Sequence, residues 1–454
     1  MVINSDRILE TLIEGGADYC DVRKEKWDEM SMDLKDGEIE RMTRGVERGA
    51  MVRVLYEGGW GSVGTSDLDS MDEAAERSIS IAKSSNEFKK EETGLADTEV
   101  QKDEVEIEMD EDPQNVPAEE KISFLRNLED KLDVDFVDST ELRYREAVVE
   151  KEIYSSEGTK LRMKIPRIIT SITVTGKGKS IQRASESTGG TGGYELMKGA
   201  YEKTDIVLDR LKSLLEADTP PSGTFPLIMD PDLAGVFVHE AFGHAAEGDL
   251  VSSGNSCLEG KLGEMVAAEN VTIRDDPTMD GYGHFPYDDE GTKAQNRVLV
   301  KDGKLNDFIL DRESAWKLGI EPNGGARAED FRVKPLVRMS NTVVEPGEMK
   351  RDELFEEVDR GVYAKSSSGG QVNPAEGTFQ FNAQEAYLVK DGEIVKPLRD
   401  VSFNGFTLET LRNVVGLTDE LETGAGYCGK GQLARVSHGG PHVLISEVTV
   451  GGRE

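Results

Sequence analysis

One turn, written three times, constrains this chain most: Lys35-Asp36-Gly37-Glu38, Lys301-Asp302-Gly303-Lys304 and Lys390-Asp391-Gly392-Glu393. Asp-Gly between alternating apolar residues is the chemistry of a two-residue type I′ hairpin. Both central residues must take positive φ, which glycine and short polar side chains do at least cost. Each copy therefore predicts an antiparallel strand pair, and their unequal spacing gives no repeat period.

Strand-like runs at 18–27, 29–34 and 51–56 surround the first turn, and Glu57-Gly58-Gly59 before Trp60 reads as another. Ser5 can cap a helix carrying Ile8, Leu9, Leu12 and Ile13 on one side, and 67–84 reads as a second helix. Residues 86–115 are so polar that a solvated loop or a charged strand edge is expected. Pro117 opens a helix with Ile122, Leu125, Leu128 and Leu132 in register. Strands at 136–150 and 167–175 precede a long amphipathic helix at 194–217. The break Asp218-Thr219-Pro220-Pro221-Ser222-Gly223 predicts the main boundary, with an N-terminal domain at 1–218 and a C-terminal domain at 219–454. Beyond it, a strand at 225–229 runs into Asp230-Pro231, an N-cap with proline at the first helical position. The rest is glycine-rich and strand-rich. The fold class is α+β: a mixed N-terminal domain, then a motif helix set against a largely antiparallel sheet system.

That helix carries the chemistry. Of five histidines in 454 residues, two flank a glutamate in His239-Glu240-Ala241-Phe242-Gly243-His244. Two neutral imidazoles can hold a divalent ion, and a carboxylate beside them can take a proton from the water it activates. Residues at i and i+5 sit about 140° apart on a regular α-helix, on different faces. A π-bulge between them would bring them back together, and Gly243 would ease the distortion. A third ligand is still needed. Glu247 follows three residues after His244; Cys428 is remote, in a glycine-rich loop where Lys430 would favour ionised sulfur. Spacing alone does not choose between them.

Composition narrows the partners. Lys and Arg total 54 against 89 Asp and Glu, for a net charge of −35. Such a surface repels phosphate backbones and anionic membranes, so no direct nucleic acid and no membrane is expected. Cys20, Cys257 and Cys428 are odd in number and far apart, which is no disulfide framework. Met1 to Arg7 lacks a basic segment followed by an apolar run, and no stretch nears the roughly 18 apolar residues of a membrane span. The expectation is a soluble, cytoplasmic protein.

The run from His239 to Asp249 closely resembles the signature of the TldD/PmbA family of metalloproteases. Further similar segments are Asp288-Asp289-Glu290-Gly291-Thr292, Arg338-Met339-Ser340-Asn341-Thr342, Gly369-Gly370-Gln371-Val372, Tyr427-Cys428-Gly429-Lys430 and Val448-Thr449-Val450-Gly451-Gly452. An intact H-E-x-x-x-H places the chain with the TldD-like, metal-bearing branch. The resemblance implies one divalent ion per chain, zinc first and iron second, on His239, His244 and Cys428, with Glu240 as the base. It also implies an inward-facing site for unfolded or extended peptides, cut with little sequence selectivity. The assembly implied is a homodimer, or a heterodimer with a PmbA/TldE-like paralogue. The family's historical label as a modulator of DNA gyrase would, at −35, reflect an indirect link. Peptide is expected to add as a strand near Gly369 and Gly370, where missing side chains permit main-chain approach, and Asp289 to line the pocket. Glu247 is expected to hold the turn that ends the helix; His284, His438 and His442 are read as non-catalytic, and Cys20 and Cys257 as buried fillers. The rival reading is a non-catalytic, metal-stabilised subunit that binds peptides or modulates a partner; a small-molecule amidase is a third.

Overall fold

The computed structural model describes residues 5–89 and 91–452; Met1–Asn4 lie outside them. The first half is one twisted sheet under four helices. Its strands are β1 (Tyr19–Lys35), β2 (Glu38–Tyr56), β3 (Gly59–Thr65), β4 (Lys102–Glu106), β5 (Ser139–Ser155), β6 (Lys160–Lys177) and β7 (Ile181–Thr191), in the order β3-β2-β1-β5-β6-β4, with β7 also on β6. The polar 86–115 segment supplies β4, which lies parallel to β6 at the sheet edge.

Helices α1 (Ser5–Glu14) and α2 (Met71–Phe88) cover one end of the sheet, packing Ile8, Leu9, Leu12, Ala74 and Ala75 on Val22, Val52 and Val54. Helices α3 (Ala118–Leu132) and α4 (Ala200–Glu216) cover the other, setting Leu125, Leu128, Val207 and Leu211 on Met32, Leu142, Ile168 and Ile172. Ile13, expected on the buried side of α1, is 43% exposed. The two segments expected at 18–34 are one continuous strand, β1, because β2 and β5 pair along nearly its whole length.

The opposite face of this sheet is buried too, against the second half, where ion pairs lie among apolar contacts such as Ile153, Leu161 and Ile165 on Phe285 and Tyr287, and Trp27 on Phe331. Arg53 pairs with Asp21 (2.6 Å) and Glu290 (3.1 Å), Arg23 with Glu25 (2.8 Å), and Arg312 with Glu157 (2.8 Å). Charged residues that look solvent-facing in sequence are thus interior. Removing one partner of such a pair leaves a buried charge uncompensated.

In the second half, β8 (Gly223–Met229) belongs to a sheet that closes on itself. It joins Val443–Gly452, Val401–Phe406, Thr378–Lys390 and Arg360–Asn373, and the last pairs back with β8. A second sheet runs from the hairpin of Lys304–Leu305 and Arg297–Lys301 through Ile273–Asp275 and Asn341–Val344 to the hairpin Leu433–Gly440 and Glu422–Gly429. The three Asp-Gly turns adopt the expected geometry, with φ of 47° and 84° at Asp36 and Gly37, 48° and 77° at Asp302 and Gly303, and 51° and 77° at Asp391 and Gly392. Pairing is not wholly antiparallel: β8 with Arg360–Asn373 and Asn341–Val344 with Leu433–Gly440 are parallel. No helix among the described residues is long and apolar enough to cross a membrane.

Candidate metal centre

The site begins at a cap. Asp230 accepts a hydrogen bond from the Leu233 N–H (2.8 Å), and Pro231 opens helix α5, Pro231–Phe237. The next six residues, Val238–Gly243, widen into a π-helix, closed by the His244 N–H donating to the His239 carbonyl at 3.3 Å. An i→i+5 bond stacks residues five apart nearly one above the other. The two imidazoles are therefore brought side by side, ring centroids 5.8 Å apart and meeting edge to face at 80°.

Gly243 acts differently from the expectation. Its φ is not left-handed; a Cβ there would lie 2.1 Å from the Met339 sulfur, so its role is to admit Met339 against the widened turn. Gly243→Ala is expected to destabilise the protein by about 1–3 kcal/mol through overpacking and to lower metal content. Urea unfolding and elemental analysis of the purified variant check both.

His239, Glu240, His244 and Cys428 each offer a ligand atom, and all four atoms lie within 4.8 Å of one another. The Cys428 sulfur is 3.2 Å from His244 Nε2, and the nearer Glu240 oxygen is 3.6 Å from it. Ligands around a tetrahedral zinc at 2.0–2.3 Å are separated by roughly 3.3–3.8 Å. The 3.2 Å between the Cys428 sulfur and His244 Nε2 is close to that spacing. Burial fits as well: neither ring nitrogen of the buried His239 has a hydrogen-bond partner. Leaving such a group unsatisfied costs about 1–3 kcal/mol, and a metal on one nitrogen would relieve it.

Glu247 turns away from this cluster. Fully buried, it meets His244 Nδ1 at 2.9 Å and the Lys430 ammonium at 3.1 Å. Holding the proton on Nδ1 leaves Nε2 bare toward the cysteine, the outer-shell arrangement that orients a ligating histidine. Without an ion, burial opposes charge on His244, but the Glu247 carboxylate and the Cys428 contact outweigh it and push the ring up to about 10; an ion on Nε2 would take the place of that nitrogen's proton. Burial, and then His244 beside it, hold His239 well below the usual imidazole range, in the neutral form that ligates. Lys430 is engaged by Asp249 (2.6 Å) and Glu247 rather than by the thiol.

Arg338 escaped the sequence reading although its motif was noted: it donates to the Cys428 carbonyl at 2.7 Å and so fixes the segment carrying the sulfur, which is a strand, Glu422–Gly429, rather than the expected loop. His438 bonds Asp232 on α5 (2.8 Å), His442 bonds the Tyr363 hydroxyl (3.1 Å), and His284 bonds the Pro277 carbonyl (2.7 Å). A cavity of about 590 Å³ opens between the two halves, lined among others by Lys203, Arg210, Asp232, Val236, Lys365 and His438. Asp232 and Val236 share a helical face with Glu240, whose side chain is 34% exposed.

Asp289 is brought to neither the cluster nor this cavity. Its carboxylate pairs with Lys151 and accepts from the Ala328 N–H (2.7 Å), and those two partners and a neighbouring arginine field hold its pKa down at about 2. Gly369 is exposed with open space around it. Gly370 lies where a Cβ would be 2.2 Å from the Phe381 ring, so packing within the sheet already requires the missing side chain. All three cysteines are free; Cys20 is buried as expected, whereas Cys257 is half-buried.

Three family models cover most of the chain: PmbA/TldA metallopeptidase domain 1 at 20–82, the central domain at 111–215 and the C-terminal domain at 222–452. A protein of Methanothermobacter thermautotrophicus named metalloprotease is 40% identical over 100% of both chains. One of Saccharolobus solfataricus, named zinc metalloprotease TldD homolog, is 30% identical over 97% of this chain and 98% of its own. Among solved structures, TldE from Thermococcus kodakarensis superposes with a TM-score of 0.80 over 98% of this chain and 99% of its own at 18% identity, a likeness of fold.

Proposed function

This chain belongs to the PmbA/TldA metallopeptidase family, the TldD/PmbA family its motifs resemble, and on that premise we propose that it hydrolyses extended peptides at a divalent metal centre. The observation that carries the reading is the convergence of His239, His244 and Cys428, 184 residues beyond His244, around a buried imidazole with no other partner. These three would hold the ion, and Glu240 stands beside them. Zinc suits two imidazoles and a thiolate, and the name of the Saccharolobus relative supports it; iron is the other metal such a set accepts.

The ion would supply Lewis-acid polarisation of a carbonyl and acidified water. Glu240 would take the proton as water attacks and return it to the departing amine. Glu247 would keep His244 oriented throughout, and Arg338 the Cys428 strand. A peptide would enter through the cavity beside Asp232 and Val236. Its main chain would add to the strand Arg360–Asn373 near Gly369 and Gly370, where β8 pairs only with Val362–Ala364 and leaves the outer edge open. Main-chain pairing reads little sequence, so selectivity would come from needing an unfolded chain. We read 1–218 and 219–454 as the two domains flanking that cavity, and the working unit as a dimer with a second copy or a TldE-like paralogue, which the TldE likeness supports.

Elemental analysis tests the centre: close to one zinc or iron per chain is expected, falling to background in His239→Ala and Cys428→Ser and on dialysis against a strong chelator. Full metal content in both variants would overturn the ligand set. A metal-loaded protein that cuts no unstructured peptide, alone or with its paralogue, would favour a peptide-binding subunit instead.

A further inference from the structure

On the far side of the Glu422–Gly440 hairpin from the metal centre lies a second cavity, of about 480 Å³, enclosed by β1, β2, β5, β6 and that hairpin. Five arginines line it: Arg41, Arg44, Arg145, Arg167 and Arg435. In a chain of charge −35 this concentration calls for a reason.

The three carboxylates in the wall do not neutralise it. Glu146 is held by Lys121 (2.6 Å), Glu47 by Arg332, and Glu29 reaches Arg435 only at 4.0 Å. Among the arginines, Arg145 is taken by Asp33 (2.5 Å). Arg435 lies over the Trp27 ring at 4.7 Å. Arg41 and Arg44 close no ion pair among the described residues. Arg167 is 8% exposed, makes a single bond to the His284 carbonyl (3.1 Å), and its Nε has no partner at all. At the mouth the Tyr282 and Tyr427 hydroxyls meet at 2.6 Å, so one of their two protons is left to donate.

A buried guanidinium with an unpartnered Nε, two exposed guanidinium forks without an ion pair and one free phenolic proton form a receptor for an oxyanion. We propose that this cavity binds an oxyanion of the phosphate or carboxylate class between the two halves of the molecule. Arg167 and Arg44 are its principal donors. The ligand replaces counter-charge that the fold withholds, and it ties the first sheet to the hairpin that carries Cys428. The site stands independently of peptidase activity.

Tryptophan fluorescence of the full chain is titrated with inorganic phosphate at fixed ionic strength, against chloride. A saturable change is expected, weakened about tenfold or more by Arg44→Gln, which is exposed and leaves the fold alone, and by Arg167→Gln, as loss of a charged hydrogen bond implies. Arg77→Gln, on α2, should bind as the wild type does. A second arm uses an unstructured peptide with a free or an amidated C-terminus. Binding that needs the free terminus identifies the source as a peptide carboxylate, whereas response to phosphate alone identifies a small anion. No saturable change with either probe, or equal affinity in both cavity variants and the wild type, would overturn the proposal.

Discussion

Glu240→Gln is expected to lower peptide cleavage by about 10²–10⁴-fold, the usual contribution of a positioned general base, with metal content and melting temperature unchanged. The reason is the asymmetry of the site. His239, His244 and Cys428 are buried, whereas the Glu240 side chain is 34% exposed. Its carboxylate lies 3.6 Å from His244 Nε2. Replacing it with an isosteric amide should therefore remove proton transfer and little else. Single-turnover cleavage of an unstructured peptide, run beside elemental analysis, reads both halves of the expectation. Cleavage at the wild-type rate would show that another group takes the proton.

The largest stability effect is expected at Asp275→Ala. Asp275 and Arg297 are both completely buried and joined by a short ion pair. The same carboxylate accepts from the Ser340 N–H (2.8 Å), the Ser340 hydroxyl (2.7 Å) and the Thr342 hydroxyl (2.8 Å). Deleting it strands a guanidinium and three donors in the interior, at a cost of about 3–5 kcal/mol. The neighbouring Met339 is the residue wedged against Gly243, so metal retention should suffer as well. Urea unfolding reads the first effect and elemental analysis the second. Replacing Arg297 with Met in the same chain should recover part of the loss, since a buried pair removed whole costs far less than one broken. A loss below 1 kcal/mol for Asp275→Ala alone would show that water enters to solvate Arg297.

Legibility in the sequence followed the range of the responsible forces. The Asp-Gly hairpins, the Asp230-Pro231 cap and the amphipathic helices were readable because each rests on a few neighbouring residues. The π-turn was readable as a necessity: two histidines at i and i+5 must converge by widening if they converge at all. Strand β7 was not readable. Ile181–Thr191 is rich in Ser and Gly, and it is a strand because β6 offers it an edge. The first sheet's inner face was also misleading, since Asp21, Arg23, Glu25 and Arg53 look solvated and are paired inside.

By itself, the sequence determined the donor types, the helix that presents two of them, the local turns and the family. Only the tertiary structure shows where the two candidate third donors, Glu247 and Cys428, lie. Glu247 is nearer in sequence, but it lies past the turn that leaves the helix and reaches His244 Nδ1, whereas the hairpin of Cys428, laid against α5 and anchored by Arg338, brings sulfur to Nε2. Spacing along a chain specifies neighbours on one element; which distant strand closes over them is set by packing between elements.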